Sequence, residues 1–226
     1  PQGSQYVFIS NKICKMLLIP RANLSIINQR EELQSPAFYI LLGDNDDLQP
    51  KADLGETENC RERVKEHDSK KTFWDKVLIF ISKDGDMTKA DVRYLEFLAI
   101  KTAFRAKRFI LEDNKRIPKM PKLPEHQLDC MNEFFDDIKL LTSFIGYEIF
   151  EIIEHKEGDV IFTFETKECN AKGIYSEKGF TVLKNSILSP KTLPSFGWKE
   201  ARDSFIKKFT KKKDELIYLE EDQIFT

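Results

Sequence analysis

The sequence predicts an α/β chain: a small, mostly antiparallel sheet flanked by helices, led by a hairpin and followed by a second, strand-rich α+β domain. Three observations carry this. Between residues 35 and 147, short β-type runs bounded by turn residues alternate with long amphipathic stretches. The run Val77-Leu78-Ile79-Phe80-Ile81 has no polar interruption, as in a strand buried on both faces. From Ile149 onward the texture changes to short strands separated by turns.

The bulk composition bounds what such a chain can be. At 226 residues, with 41% hydrophobic and 33% charged residues, it is large enough for a real core and too apolar for general disorder. No window approaches the roughly 18 apolar residues of a membrane helix, and the N-terminus lacks the layout of a signal peptide. The chain therefore reads as cytoplasmic, with no membrane partner. A net charge of −2 means that nucleic-acid binding has to come from local patches. Cys14, Cys60, Cys130 and Cys169 form no CxxC pair, and His67, His126 and His155 fit no zinc spacing, so free thiols and no structural metal are expected.

The first element is a hairpin, Tyr6 to Ile9 and Cys14 to Ile19 about Asn11-Lys12, closed by Pro20. Pro1 to Ser4 reads as a tag remnant. Ala37 to Leu42 is an apolar β-type run stopped by Gly43 and the turn-rich Asp44-Asn45-Asp46-Asp47, and a short segment, Lys51 to Gly55, comes next. Thr57 to His67 lacks Gly and Pro and opens on Thr and Glu, as helices do. Lys76 to Ser82 is the strongest strand. Thr88-Lys89-Ala90-Asp91 has the form of a capping box before a helix over Lys89 to Lys107. Pro118, Pro121 and Pro124 impose a loop. Glu125 to Phe144 carries Leu128, Met131, Phe134, Phe135, Ile138 and Leu141 at helical spacing and stops at Gly146. Further strands are expected over Ile149 to Ile153, Val160 to Phe164 and, as a hairpin turning at Ser176 to Gly179, Ala171 to Leu183. Trp198 to Lys212 reads as a helix and Leu216 to Leu219 as a strand. The expected domains are 1–34 (tag remnant and hairpin), 35–147, and 148–226, the last cut short at Thr226.

Candidate chemistry gathers in the second of these. Asn59, Arg63 and His67 are spaced i, i+4, i+8, which sets three polar groups on one helix face: a phosphate clamp or a solvated surface. Glu96 has the apolar same-face neighbours Val92, Ala99 and Ile100, so its carboxylate needs either a divalent cation or a distant Arg or Lys. Tyr39 in its strand is either a core aromatic or a functional phenol. The basic segment Lys107 to Lys122, with Lys115 inside it, can follow a phosphate backbone or simply be solvated. The run Lys207 to Lys213 is the densest positive patch and fits a helix exterior.

The order of these parts resembles the GIY-YIG nuclease superfamily: Phe38-Tyr39 in a strand, Leu54-Gly55-Glu56-Thr57-Glu58-Asn59, then Arg63 and His67, then a strand and a helix bearing Glu96. Proteins similar to this one also carry a hairpin ending like Ile19-Pro20-Arg21, and a C-terminal domain of unknown function with a stretch like Ala171 to Lys184. The resemblance implies a metal-dependent endonuclease acting on DNA, with RNA left open, and Mg²⁺ or Mn²⁺ as cofactor. Tyr39 would position or deprotonate the attacking water, Arg63 would stabilise the pentacoordinate phosphate, His67 would assist proton transfer and Glu96 would hold the metal. Asn59, Arg63, Asn114 and Lys115 would touch nucleic acid, Asn114 matching the family's late Asn. Two departures stand out. The first motif reads Ala37-Phe38-Tyr39, and Asp53 occupies the place of the second motif's Tyr. Asp53 is expected to lie within reach of the same cavity, where it either pairs with Arg63, the favoured outcome and an inhibitory one, or joins Glu96 in recruiting a cation. The alternative function is a catalytically silent module binding nucleic acid or protein.

Overall fold

The computed structural model describes residues 3–44, 50–152, 160–176, 179–192, 195–213, 216–220 and 222–225. The chain divides into two compact units, Pro1–Ile153 and Glu154–Thr226. Each is built on an antiparallel sheet, and every pairing between its strands is antiparallel. The class is therefore α+β rather than the α/β read from the sequence, because α/β layering requires parallel strands joined by crossovers.

The first unit contains β1 (Gln5–Phe8), β2 (Cys14–Pro20), 3-10 segments Arg21–Gln29 and Glu31–Gln34, and β3 (Ala37–Asp44). Beyond these come β4 (Pro50–Thr57), α1 (Cys60–Lys70), β5 (Trp74–Ser82), α2 (Lys89–Ala106) and α3 (Glu125–Phe144). Its sheet runs β1-β2-β5-β3-β4. The leading hairpin is thus the outer part of this sheet, since β2 pairs with β5 along its whole length.

Side-chain alternation explains why the central strands are apolar throughout. Phe38, Ile40 and Leu42 face one way, with Leu54, Leu95, Ala99, Phe134 and Ile138. Ala37, Tyr39 and Leu41 face the other way, with Ile27, Leu33, Cys60 and Val64. Both faces are covered, so neither tolerates the polar alternation of a half-exposed sheet.

Local chemistry fixes the helices. Thr88 and Asp91 form both halves of a capping box at the start of α2, and Lys107, at φ 54°, ends it in the left-handed region. Asn59 caps α1, so that helix starts at Cys60 rather than Thr57, and Thr57 still pairs with Ala37 in β4. The segment expected as Lys51 to Gly55 is accordingly a full strand. Of the turn expected over Asp44 to Asp47, residues 45–47 lie outside the described ones. Ile149 and Phe150 form no strand. Both are buried in the first core, where Phe150 meets Phe135 edge-on at 5.2 Å.

The second unit holds β6 (Ile161–Glu165), β7 (Asn170–Ser176), β8 (Gly179–Val182), β9 (Ile187–Leu188), α4 (Lys199–Phe209), β10 (Thr210–Lys213), β11 (Leu216–Leu219) and β12 (Gln223–Phe225). The strand order is β10-β11-β9-β7-β8-β12, with β6 on the other side of β7. The β7/β8 hairpin agrees with the sequence, though Glu177 and Lys178 in its turn lie outside the described residues. The last helix is shorter than expected: it ends at Phe209, and Thr210 to Lys213 turns into a strand against β11. The Lys207 to Lys213 run is therefore split between a helix end and a strand, not displayed on one helix exterior.

Candidate active site

Tyr39 is mid-strand in β3, 2% exposed, opposite Gly55 of β4. The glycine is required here. A Cβ at Gly55 would lie 2.3 Å from the Tyr39 hydroxyl, so only a residue without a side chain lets the phenol cross the neighbouring strand. The hydroxyl then reaches α1, whose Arg63 Nε donates to it at 3.2 Å while His67 Nε2 lies at 2.8 Å. Arg63 and His67 are four residues apart, which brings both to the same face.

Electrostatics assigns the protons in this trio. Burial, followed by the charges of Arg63 and Lys71, holds His67 down at about 4, so its imidazole is neutral near pH 7. Burial pushes the Tyr39 phenol well above its usual range, despite the opposing effect of Arg63, so it stays protonated. Tyr39 therefore donates to His67 Nε2 and accepts from Arg63. Burial works against the Arg63 charge, but Tyr39 and Glu66 outweigh it. Glu66 holds one terminal nitrogen of Arg63 at 2.7 Å, and the Arg63 side chain remains 40% exposed.

Glu96 belongs to α2, whose buried residues pack on the face of the sheet opposite Tyr39. It makes no hydrogen bond or ion pair among the described residues. Burial first, then Glu56 and Asp53, raise its carboxyl to about 7, with Arg93 and Arg63 partly opposing. Its field reaches Tyr39, but the groove it lines is walled by Ile100, Asp113, Asn114, Lys115 and Arg116 rather than by the phenol.

Three sequence expectations are corrected. Asp53 does not pair with Arg63. It is 6% exposed and bound to Lys71 at 2.5 Å, because in β4 its side chain points at the segment after α1. Burial still raises its carboxyl above the usual range, with Lys71 offsetting part of that. Asn59 is the cap before α1 rather than a residue inside it, and its side-chain oxygen accepts from Glu62 N at 3.2 Å to close the helix start. Asn114 faces inward: its amide accepts from Leu54 N at 2.9 Å and donates to Leu54 O at 2.7 Å, closing the free edge of β4. Lys115 is exposed and lines the groove.

Sequence reasoning missed Lys71, Glu66 and the work of Arg21. Arg21 donates to Asp68 Oδ1 at 2.7 Å and to the Asp68 carbonyl at 2.7 Å, and stacks on Trp74 at 4.8 Å, which ties the C-terminal end of α1 to β5. Glu66, at i+3 from Arg63, was findable from helical spacing. Lys71 was not, because its partner lies 18 residues away.

A family model described as "Domain of unknown function (DUF4357)" matches residues 162–226, within the second unit, and so includes none of these site residues. The segment Ala171 to Lys184, which the sequence places in a domain of unknown function, lies within that match. No curated protein and no solved structure matches the chain. No helix among the described residues is long and apolar enough to cross a membrane.

Proposed function

We propose that the first unit is a GIY-YIG-type endonuclease that hydrolyses DNA phosphodiester bonds with one divalent cation, Mg²⁺ or Mn²⁺. The observation that supports this most is the contact of one buried tyrosine hydroxyl with both Arg63 and a neutral His67. A neutral imidazole accepting from a phenol is a proton path. His67 Nε2 takes the Tyr39 proton as the phenol oxygen takes one from the attacking water; a new P–O bond forms, the opposite P–O bond breaks, and the leaving oxygen departs with its electron pair and takes a proton from solvent. The exposed part of the Arg63 guanidinium holds the developing charge on the equatorial phosphate oxygens, and Glu66 keeps it aimed.

The donor chemistry fits the cation. Glu96 is a half-buried carboxylate with no protein partner among the described residues and with further acidic charge from Glu56 and Asp53 nearby. No cluster of three or more His, Cys, Asp and Glu able to hold a metal occurs among the described residues. Glu96 is the residue that would hold the cation, in the manner of a hard ion kept by one carboxylate, water and substrate oxygens. Bound there, it would supply Lewis-acid stabilisation of the phosphate and the leaving oxygen.

One observation favours a silent, binding-only module: Asp53 puts a buried anion where the resembling family has a phenol. Its pairing with Lys71 counts the other way, because Arg63 is left available to phosphate. The test is incubation with supercoiled plasmid and branched DNA under Mg²⁺, Mn²⁺ or EDTA, comparing the unaltered chain with Glu96→Gln and Asp53→Tyr. Divalent-dependent nicking that disappears in Glu96→Gln, with unchanged melting, is the expected result. Cleavage by Asp53→Tyr alone would establish the silent reading, and undiminished cleavage by Glu96→Gln would remove the metal role.

A further inference from the structure

The loop after α2 is fastened to the sheet at two points. Ile110 continues the edge of β4, accepting from Ala52 N at 3.0 Å and donating to the Pro50 carbonyl at 2.9 Å. Asn114 then uses its whole amide on Leu54, as though it were one more residue of a strand. The residues beyond Asn114 therefore extend from a fixed base. Lys115, Arg116 and Lys119 are exposed, line the groove that also contains Glu96, and make no ion pair or hydrogen bond among the described residues.

Nearby acids do not neutralise them. The Asp113 carboxylate is turned to Lys51 at 3.5 Å and to Lys71 at 3.9 Å, and Glu112 is held by Lys51 at 3.0 Å. Three unpaired cations on one wall and a partnerless carboxylate on the other make a groove of divided charge. A single small anion can meet only part of the basic wall, whereas a chain of phosphodiesters carries one charge after another along all three of its cations.

We infer that Lys115, Arg116 and Lys119 form a backbone track that holds the phosphates next to the one cleaved, so that the protein grips its nucleic-acid strand on the α2 side without reading bases. This deepens the nuclease reading and relies on it only for what happens at Glu96. Asn114 is a positioning residue, setting the loop while never touching the strand. Such contacts act by releasing counterions, so each contributes about 0.9 to the slope of log affinity against log salt on duplex DNA.

Binding of the full chain to a fluorescein-labelled duplex is to be followed by anisotropy in EDTA across a salt series, for the unaltered protein, Lys115→Ala/Arg116→Ala/Lys119→Ala, and Lys115→Arg/Lys119→Arg. The expected result is a slope reduced by about 2 to 3 in the triple alanine variant, with affinity lowered by the same proportion on unrelated sequences, and retention in the arginine variant. An unchanged slope, or a loss confined to one sequence, overturns the track. Plasmid cleavage by the same variants separates the two claims. Cleavage with an unchanged slope sinks the track and leaves the nuclease reading; a lost slope in a chain that never cleaves does the reverse.

Discussion

The Tyr39 hydroxyl owes its position to an atom that is missing from the strand beside it. Gly55→Ala would add a Cβ 2.3 Å from that hydroxyl and 2.6 Å from the ring carbon bearing it. The ring cannot yield without leaving Arg63 and His67. The expected outcome is a loss of about 1–3 kcal/mol in denaturant melts together with near-complete loss of cleavage; a variant of native stability and activity would show that the phenol is not held against β4. His67 gives a second test. Its folded form is neutral, with a pKa of about 4 against an ordinary 6.5, so acid favours the unfolded chain, which takes up the proton first. The His67 share of stability is complete above about pH 6.5 and falls away as pH drops towards 4. Glu66, held near 2 by Lys70 and then Arg63, loses its share only below its ordinary 4.5, so the two windows separate. Stability measured by urea melts across this range should decline in the upper window for the unaltered chain and be flatter there for His67→Gln; equal slopes would contradict a neutral histidine. At this scale the sequence displays Arg63 and His67 through helical spacing and Glu96 through its apolar neighbours. The Lys71–Asp53 pair and the Asn114–Leu54 amide clasp join residues that only folding brings together, and no local pattern announces them.

Among elements, the edge strand β4 is the one on which the site depends. It carries Asp53 and Gly55, has β3 on one side, and has Ile110 and Asn114 in place of a neighbour on the other. An open edge would leave the Leu54 N–H and carbonyl unpaired beside the core. Asn114→Ala should therefore cost about 1–3 kcal/mol through unsatisfied buried groups. A loss under about 0.5 kcal/mol in urea melts would mean that water replaces the amide without penalty. Elements with strong internal signals were legible: the β5 run, the Thr88–Asp91 box, and α3 with its regular apolar spacing and Gly146 at φ 87° after it. Those decided by tertiary partners were not. Ile149 to Ile153 has strand-like composition, yet Ile149 and Phe150 serve as filling for the core beside α3. Composition cannot tell a strand from a buried irregular segment when the run is this short.

For the whole molecule, strand order could not be read from the chain, because β2 reaches β5 across β3, β4 and α1 in the sequence and both hydrophobic clusters form from such distant pairings. What those clusters contain has a consequence for stability. Among the described residues, every buried member of both clusters lies between Cys14 and Phe150, within the first unit. The second unit buries far less: Ile174, Ile217 and Leu219 are its buried large apolar side chains among the described residues, while Ile161, Phe162, Phe164 and Tyr175 are each more than half exposed. Folding stability follows apolar burial set against chain entropy, so the two units should not melt together. A chain comprising residues 1–152 is expected to fold alone, with one cooperative calorimetric transition of about 100 kcal/mol on the usual per-residue enthalpy. The full chain should show an additional, earlier transition from the strand-rich unit. A 1–152 chain without a cooperative transition would mean that the second unit supports the first, and the nuclease site would then have to be studied only in the intact protein.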